Sequence, residues 1–592
     1  MGASRLGLWC LLLLFQAAFA DFGMALGGKP KYGKDFTHFA YVNPHAPKRG
    51  MLTVPLTGSF DTLNPLTLKG SKEAGVSLLT LDTLLMQSED EPFAAYGLIA
   101  DDVVLADNGL AATFRIHPQA RFHNGDRVSA HDVVYSFRTL TQDQAADPLY
   151  RFYWAGVAKV QALDERSVRF DFKEKNAELH LILGQLPVFS HKSFPQGLAA
   201  AGNVVPIGSG PYRLQRTVSG RMSEFVRDPA YWAQNLPTRR GMYNFDTIRF
   251  KYYQDETARV EALKAGEYDV IAENVARLWA RAYPEKVLQK RGLVKNTFAH
   301  RNNAGMQGFV LNLRREALQD EALRRALVLS FDFESVNQLL FYGLYRRADS
   351  FFTNTELAAT GLPEGDELRI LRSVQADVPS DIFSTPAVMP PVIDPQLGVR
   401  PNLIRARDGL LAAGYVYREG YVTDAHGRRV GLELLLPGKA FERAAAKWQR
   451  DLAKIGITLQ LRTTDAALFQ KRLNDFDYDI ALVGYGNSLS PGNEQFNYHS
   501  CAAARTAGSQ NYAGICDPAV EKILPYFLNP RDRDELVAAS RALDRILRRK
   551  HMIVPNWYAD RHRMIYRADL RQPETLPLYY QGLTWAIQTW WR

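Results

Sequence analysis

Residues 113–140 read TFRIHPQARFHNGDRVSAHDVVYSFRTL, and the fold class is decided in this stretch. Residues 112–117 alternate apolar and polar, the period of a strand with one buried face. The segment 122–125 (FHNG) supplies a turn. Ser129 and Asp132 then form a variant of the capping box, ahead of Val133, Val134, Phe137 and Leu140 at helical spacing. Strand, turn and helix follow one another within about thirty residues.

The same alternation continues outward. Asp255 caps a predicted helix carrying Val260 and Leu263, which stops at Gly266 and turns into a strand at 268–272. Residues 440–455 are predicted helical, Gly456 ends that helix, and strands follow at 457–461 and 478–483. The fold class is therefore mixed α/β. No self-similarity at a period of about 20 to 50 residues is present, which excludes solenoids and propellers. A chain of 592 residues with 46% hydrophobic composition predicts two to four domains. Charged residues at 23% and aromatic residues at 11% exclude general disorder. The Pro-rich stretches 378–401 and 573–577 contain apolar residues and read as ordered surface loops or crossings.

The net charge is +9, from 72 Lys and Arg against 63 Asp and Glu. Its short runs, Arg324-Arg325, Arg346-Arg347 and Arg548-Arg549-Lys550, read as charges at helix ends and not as a nucleic-acid footprint. At the N-terminus Arg5 precedes an apolar run over 6–15, and Ala18 and Ala20 bracket Phe19 just before Asp21. That is the pattern of a secretory signal peptide over residues 1–20, removed on export together with Cys10. Cys501 and Cys516 remain, in a chain bound for an oxidising compartment, and are predicted to pair. Closing a loop of about 15 residues contributes roughly 3 kcal/mol in the chain-entropy model, which staples one loop and does not frame a fold.

A search for chemistry yields little that is catalytic. The sequence contains no G-x-S-x-G elbow, no H-E-x-x-H, no Walker loop and no C-x-x-C pair. His117, His123 and His131 fall on a strand, a turn and a helix start, so no metal site is expected there. The turn 207–212 (IGSGPY) enters a strand and reads as structural. Loop-like segments rich in aromatic and amide side chains remain: Phe60, Asp61 and Asn64, and the run 485–494 (YGNSLSPGNE) after a strand. Such groups suit a cleft that holds a polar ligand.

Taken together, the segments resemble the family-5 extracellular solute-binding proteins, the peptide, nickel and oligosaccharide receptors of ABC importers. The blocks 113–140, 206–214 (PIGSGPYRL), 262–270 (ALKAGEYDV), 323–333 (LRRALVLSFDF) and 456–461 (GITLQL) resemble those of the family in the same order. Residues 39–50 (FAYVNPHAPKRG), 60–70 (FDTLNPLTLKG), 356–365 (ELAATGLPEG) and 488–495 (SLSPGNEQ) are similar to the YejA-like branch, associated with uptake of peptides and the peptide antibiotic microcin C in Gram-negative bacteria. The pair Cys501 and Cys516 also resembles a disulfide of dipeptide-binding relatives.

The resemblance implies a two-lobed periplasmic binding protein with an additional inserted domain. Domain I is expected at 21–70, 204–300 and 552–592, domain II at 71–203 and domain III at 301–551. It further implies a monomeric, non-enzymatic periplasmic protein with no cofactor and no metal, whose partners are a peptide or peptide-like ligand and an inner-membrane ABC permease. The expected ligand-binding residues are Phe60, Asn64, Tyr485, Asn487, Ser488, Ser490 and Glu494. Peptide-binding relatives place an aspartate in the loop after the strand ending near Val483, where it receives the ligand's α-amino group. No aspartate occurs between Tyr485 and Gln495 here, which leaves Glu494 as a substitute, or hydrogen bonds from Asn487 and Ser490 in its place. Other cargoes of the same fold are oligosaccharide, opine, nickel or heme. A secreted hydrolase using Asp477 and Asp479 is the rival from another class. The intact mass of the secreted protein is expected to correspond to a chain starting near Asp21. A mass that includes Cys10 would overturn the signal-peptide reading.

Overall fold

The computed structural model describes residues 23–26 and 28–592, so the signal-peptide reading and Cys10 lie outside the described residues. The capping box at Ser129 is formed. Ser129 Oγ accepts from the Asp132 backbone N–H at 3.4 Å, and Asp132 Oδ2 accepts from the Ser129 N–H at 3.0 Å, opening the helix Ala130–Gln142. The strand Ala111–Ile116 pairs with Ala100–Leu105 and with Ser167–Phe172, and Val157–Ala162 completes a four-stranded antiparallel sheet. The helix covers one face of this sheet, where Phe137 meets Phe170 edge-on at 5.4 Å between ring centroids.

A second sheet carries Tyr212–Val218, Met222–Arg227, Thr247–Tyr253 and Met51–Thr57, the last two parallel. It stands beside a three-stranded sheet in which Arg561–Arg567 lies between Val270–Ala272 and Leu293–Ala299. One apolar core joins both, with Phe298, Trp585 and Trp590 packed edge to face. Asp255 caps the helix Glu256–Ala265, and Gly266 at φ 81° ends it, as the sequence implied. The turn 207–212 is structural: a Cβ on Gly208 would lie 1.9 Å from the Thr80 carbonyl oxygen. Beside it Asp82, fully buried, takes Arg239 at 3.2 Å and the hydroxyl of Tyr231 at 3.0 Å.

The largest sheet runs in the order Thr458–Thr463, Gly431–Leu436, Ile480–Tyr485, Met306–Leu311 and Ile553–Pro555. Its first three strands are parallel and the rest antiparallel. Both faces are covered, so side chains of alternate direction enter different cores: Leu432, Leu434, Leu436, Phe309 and Leu311 on one side, Leu435, Ala481, Val483, Tyr485 and Val310 on the other. That is why residues 480–483 read as an unbroken apolar run. The strands expected at 457–461 and 478–483 sit one or two residues further on. Phe476 takes a positive φ of 54°, and the Tyr478 N–H folds back onto its carbonyl, so the strand starts only at Ile480.

Cys501 and Cys516 form the expected disulfide. Of the three basic runs expected at helix ends, Arg548-Arg549-Lys550 closes the helix Arg533–Arg549, whereas Arg324-Arg325 lies inside Glu321–Leu329 and Arg346–Arg347 is a short strand paired with Trp557–Tyr558. Asp477 and Asp479 are held by Arg315 and Arg472 on the sheet's rim, which leaves neither as part of a carboxylate pair.

Candidate functional site

The chain passes between the small three-stranded sheet and the five-stranded sheet twice. Strand Leu293–Ala299 leads through 300–305 into Met306–Leu311, and Ile553–Pro555 leads through 556–560 into Arg561–Arg567. The second passage lies beyond the boundary expected at Met552, because the short strand Ile553–Pro555 still pairs with Gly308, Phe309 and Val310. The two passages run side by side. His300 and His562 stack at 4.4 Å, and Asn302 Nδ2 donates to the Tyr580 carbonyl at 2.8 Å. From the other side Asn354 Nδ2 donates to the carbonyls of His300 and Asn302, each at 3.1 Å.

The loop 485–494 is attached to this crossing. Gly305 has φ +60°, and a Cβ there would lie 2.1 Å from the Tyr485 carbonyl oxygen, so only glycine fits. Asn303 Nδ2 donates to the Ser488 carbonyl at 2.8 Å. Tyr485 itself is buried among Phe351, Tyr498, His499 and Tyr512, and its hydroxyl accepts from the Ala513 N–H at 3.3 Å. Asn487 Nδ2 donates to the Phe351 carbonyl at 2.8 Å, and Asn487 Oδ1 accepts from Gln495 Nε2 at 2.6 Å. Tyr485 and Asn487 thus hold the loop in shape, while Ser488, Gly484 and Gly486 are exposed.

At its far end the loop meets the four-stranded-sheet unit. Ser490 Oγ donates to Glu178 Oε1, both residues being buried. Both oxygens of Glu494 accept from the Gly492 N–H at 3.0 Å. A Cβ on Gly492 would sit 3.2 Å from Glu178 Oε2 and 3.7 Å from Glu494 Oε2, so the two carboxylates converge on this glycine. Burial, reinforced by the nearby Glu494, pushes the Glu178 carboxyl up to about 8, although Ser490 and Arg533 act against the shift. Burial also raises Glu494. Arg533 is occupied elsewhere, donating to the Leu489 carbonyl at 2.6 Å and to Glu356 at 2.8 Å.

The structure therefore brings five of the seven expected residues together and leaves two apart. Phe60 is buried against Tyr252, with ring centroids 4.9 Å apart. Asn64 is fully buried, donating to the Ala201 carbonyl at 3.1 Å and accepting from the Leu66 N–H at 3.0 Å. These partners all lie outside the 485–494 loop. In both cases an aromatic or amide chosen for ligand chemistry serves the junction of the 51–57 strand with the inserted unit. Glu178, Asn303, Asn354 and Arg533 went unnoticed in the sequence, since each comes from a distant segment and none sits in a motif. Glu89 belongs with them: its carbonyl accepts from the Leu578 and Tyr579 N–H groups, and burial raises its carboxyl to about 8.

Two units joined by paired crossings, with a polar seam between them, define the class of two-lobed solute-binding proteins. The chain belongs to the bacterial extracellular solute-binding proteins, family 5, whose middle-region profile matches residues 94–506. It is 38% identical to the uncharacterized protein y4wM of Sinorhizobium fredii, over 98% of this chain and 89% of that one. It is 36% identical to the probable peptide-binding protein YejA of Agrobacterium fabrum, over 96% and 93%. Among solved structures it matches the oligopeptide-binding protein AppA of Bacillus subtilis in complex with a nonapeptide, with a TM-score of 0.61 at 18% identity, over 92% of this chain and 99% of AppA. It also matches NikA of Brucella suis in complex with Fe(III)-EDTA, with a TM-score of 0.66 at 20% identity, over 88% and 95%. These two likenesses give the fold. The protein is a solute-binding protein and not an enzyme. Among the described residues no helix is long and apolar enough to cross a membrane.

The Glu178 carboxyl yields a pH prediction. A carboxyl held above its ordinary 4.5 binds its proton more tightly in the packed seam than in water. Its contribution is therefore complete below that value and lost as the pH rises through about 8. The thermal midpoint of the unliganded protein is expected to fall between about pH 5 and pH 8, and Glu178→Gln to lessen that fall. An equal fall in the variant would show that Glu178 does not govern the seam.

Proposed function

We propose that this protein captures peptides or peptide-like compounds between its lobes and delivers them to an ABC import permease from the periplasm. One lobe comprises the chain from residue 21 to the crossing at 300–305 and from 561 onward, with 71–203 as its inserted domain, and residues 306–555 form the other. The observation that carries the reading is an open strand edge at the seam. Pairing of Ile480–Tyr485 with Gly431–Leu436 stops at Ala481, whereas its pairing with Met306–Leu311 continues to Tyr485. Among the described residues, no strand of the sheet takes up that edge from 482 onward. An extended peptide laid there gains main-chain hydrogen bonds regardless of its side chains, which is recognition by strand addition. The likeness to the probable peptide-binding protein YejA and to AppA in complex with a nonapeptide supports the same cargo class.

The ligand touches both lobes only when they are closed, so its differential contacts shift the population toward the closed form that a permease recognises. The amine of a peptide finds no aspartate in the loop. Glu494 is folded onto Gly492 and Gln495, and Asn487 onto Phe351, so neither is set aside for a charged terminus. Recognition then rests on backbone pairing, and a lost charge-assisted bond of roughly 1.5 to 3 kcal/mol is not expected when the amine is blocked.

Native mass spectrometry of protein taken from periplasm is expected to show co-purifying peptides. For a peptide identified this way, calorimetry with its free and N-acetylated forms should give affinities within about tenfold of each other. The absence of any peptide, or a loss of about a hundredfold or more on acetylation, would contradict the cargo or its mode of recognition respectively.

A further inference from the structure

A cavity of about 510 Å³ lies away from the strand edge, enclosed by three separate parts of the chain: the N-terminal segment, the four-stranded-sheet unit and residues Pro530 and Arg531. This size is within the range of small-molecule sites. Its ionisable lining residues are Lys29, Lys34, Lys175, Arg531 and His180, and among the described lining residues none is acidic. His180 is buried and pushed down to about 4, so it stays neutral and leaves the lysines and Arg531 to set the charge. Two acids packed against the N-terminal segment are already engaged: Asp90 holds Lys31 and Tyr32, and Glu91 accepts from Lys31 N–H and Tyr96. Arg531 takes Glu535 at 2.8 Å, whereas Lys29 and Lys175 are exposed and pair with no carboxylate among the described residues. The rest of the wall is apolar, with Met24, Leu26, Phe172 and Pro530.

We infer that this cavity is a second binding site, specific for a small organic anion with an apolar body. The cations of a partly enclosed site raise the local concentration of an anion, and low-dielectric walls strengthen each contact. A carboxylate or phosphate sits between Lys29 and Lys175, and the apolar body lies against Met24 and Phe172. The site also straddles the seam. Lys175 comes from the segment that carries Glu178, and Pro530 and Arg531 of the other unit line the same cavity. An occupant therefore touches both lobes and adds to whatever holds them together.

The inference goes beyond peptide capture and stands or falls separately from it. The probes are octanoate, octyl phosphate and octylamine, which share one body and differ in head charge. Calorimetry on the full mature chain is expected to show saturable binding of octanoate or octyl phosphate and none of octylamine. The double variant Lys29→Glu/Lys175→Glu, altered only at exposed side chains, should weaken the anions about tenfold or more. Its circular dichroism and its affinity for a co-purified peptide should match wild type. If neither anion binds saturably, if octylamine binds as well as they do, or if the double variant weakens them by less, the site is not an anion site.

Discussion

The two strands that pass between the sheets run side by side, and the rest of the molecule is organised by that constraint. A single connection would leave the units free to rotate in every direction. Two adjacent connections, tied together by the His300 N–H on the Asp560 carbonyl at 3.2 Å, leave fewer directions of motion than one would. The loop 485–494 is bound to the same place, since Gly305 sits so close to the Tyr485 carbonyl that no side chain can intervene. The open strand edge on which the proposed function rests therefore lies beside the paired crossings.

The lobes and the seam differ in how they treat buried charge. Within residues 306–555, two buried ion pairs are well partnered. Arg545 meets Glu367 at 2.7 Å and two further carbonyls, and Asp544 takes Arg548 together with the N–H groups of Phe351 and Ala359. Breaking such a pair costs about 3 to 5 kcal/mol, because it leaves one charge uncompensated. At the seam, Glu178 and Glu494 face each other with Arg533 already bound to Glu356, and burial raises both carboxyls above their ordinary value. Opening costs least where burial is least well compensated.

Much of the fold was legible in the sequence because it is written in local patterns. The capping box at Ser129, the glycines at 266 and 456 and the alternation in 112–117 each act within one element, and each is present. Long-range placement was less legible. Asn64 offers an amide in a loop, and only the three-dimensional structure reveals that Ala201 and Leu66 use it. Glu178 precedes the short helix Leu179–Leu183, over three hundred positions from Ser490, with no motif to announce it, and yet it forms a buried contact with that loop residue. The loop 485–494 was found because a polar run directly after an apolar strand is a local signal. Which of its side chains hold the loop and which face outward was not visible before its partners were.

The central claim is that ligand binding closes the lobes about the paired crossing. It is tested most directly by pulsed electron resonance between spin labels at Glu174→Cys and Asn493→Cys, two exposed positions on opposite sides of the seam. The account requires a broad distance distribution in protein stripped of ligand and a narrow, shorter one once a confirmed peptide ligand is bound. The same distribution in both samples, with binding verified by calorimetry, would contradict it.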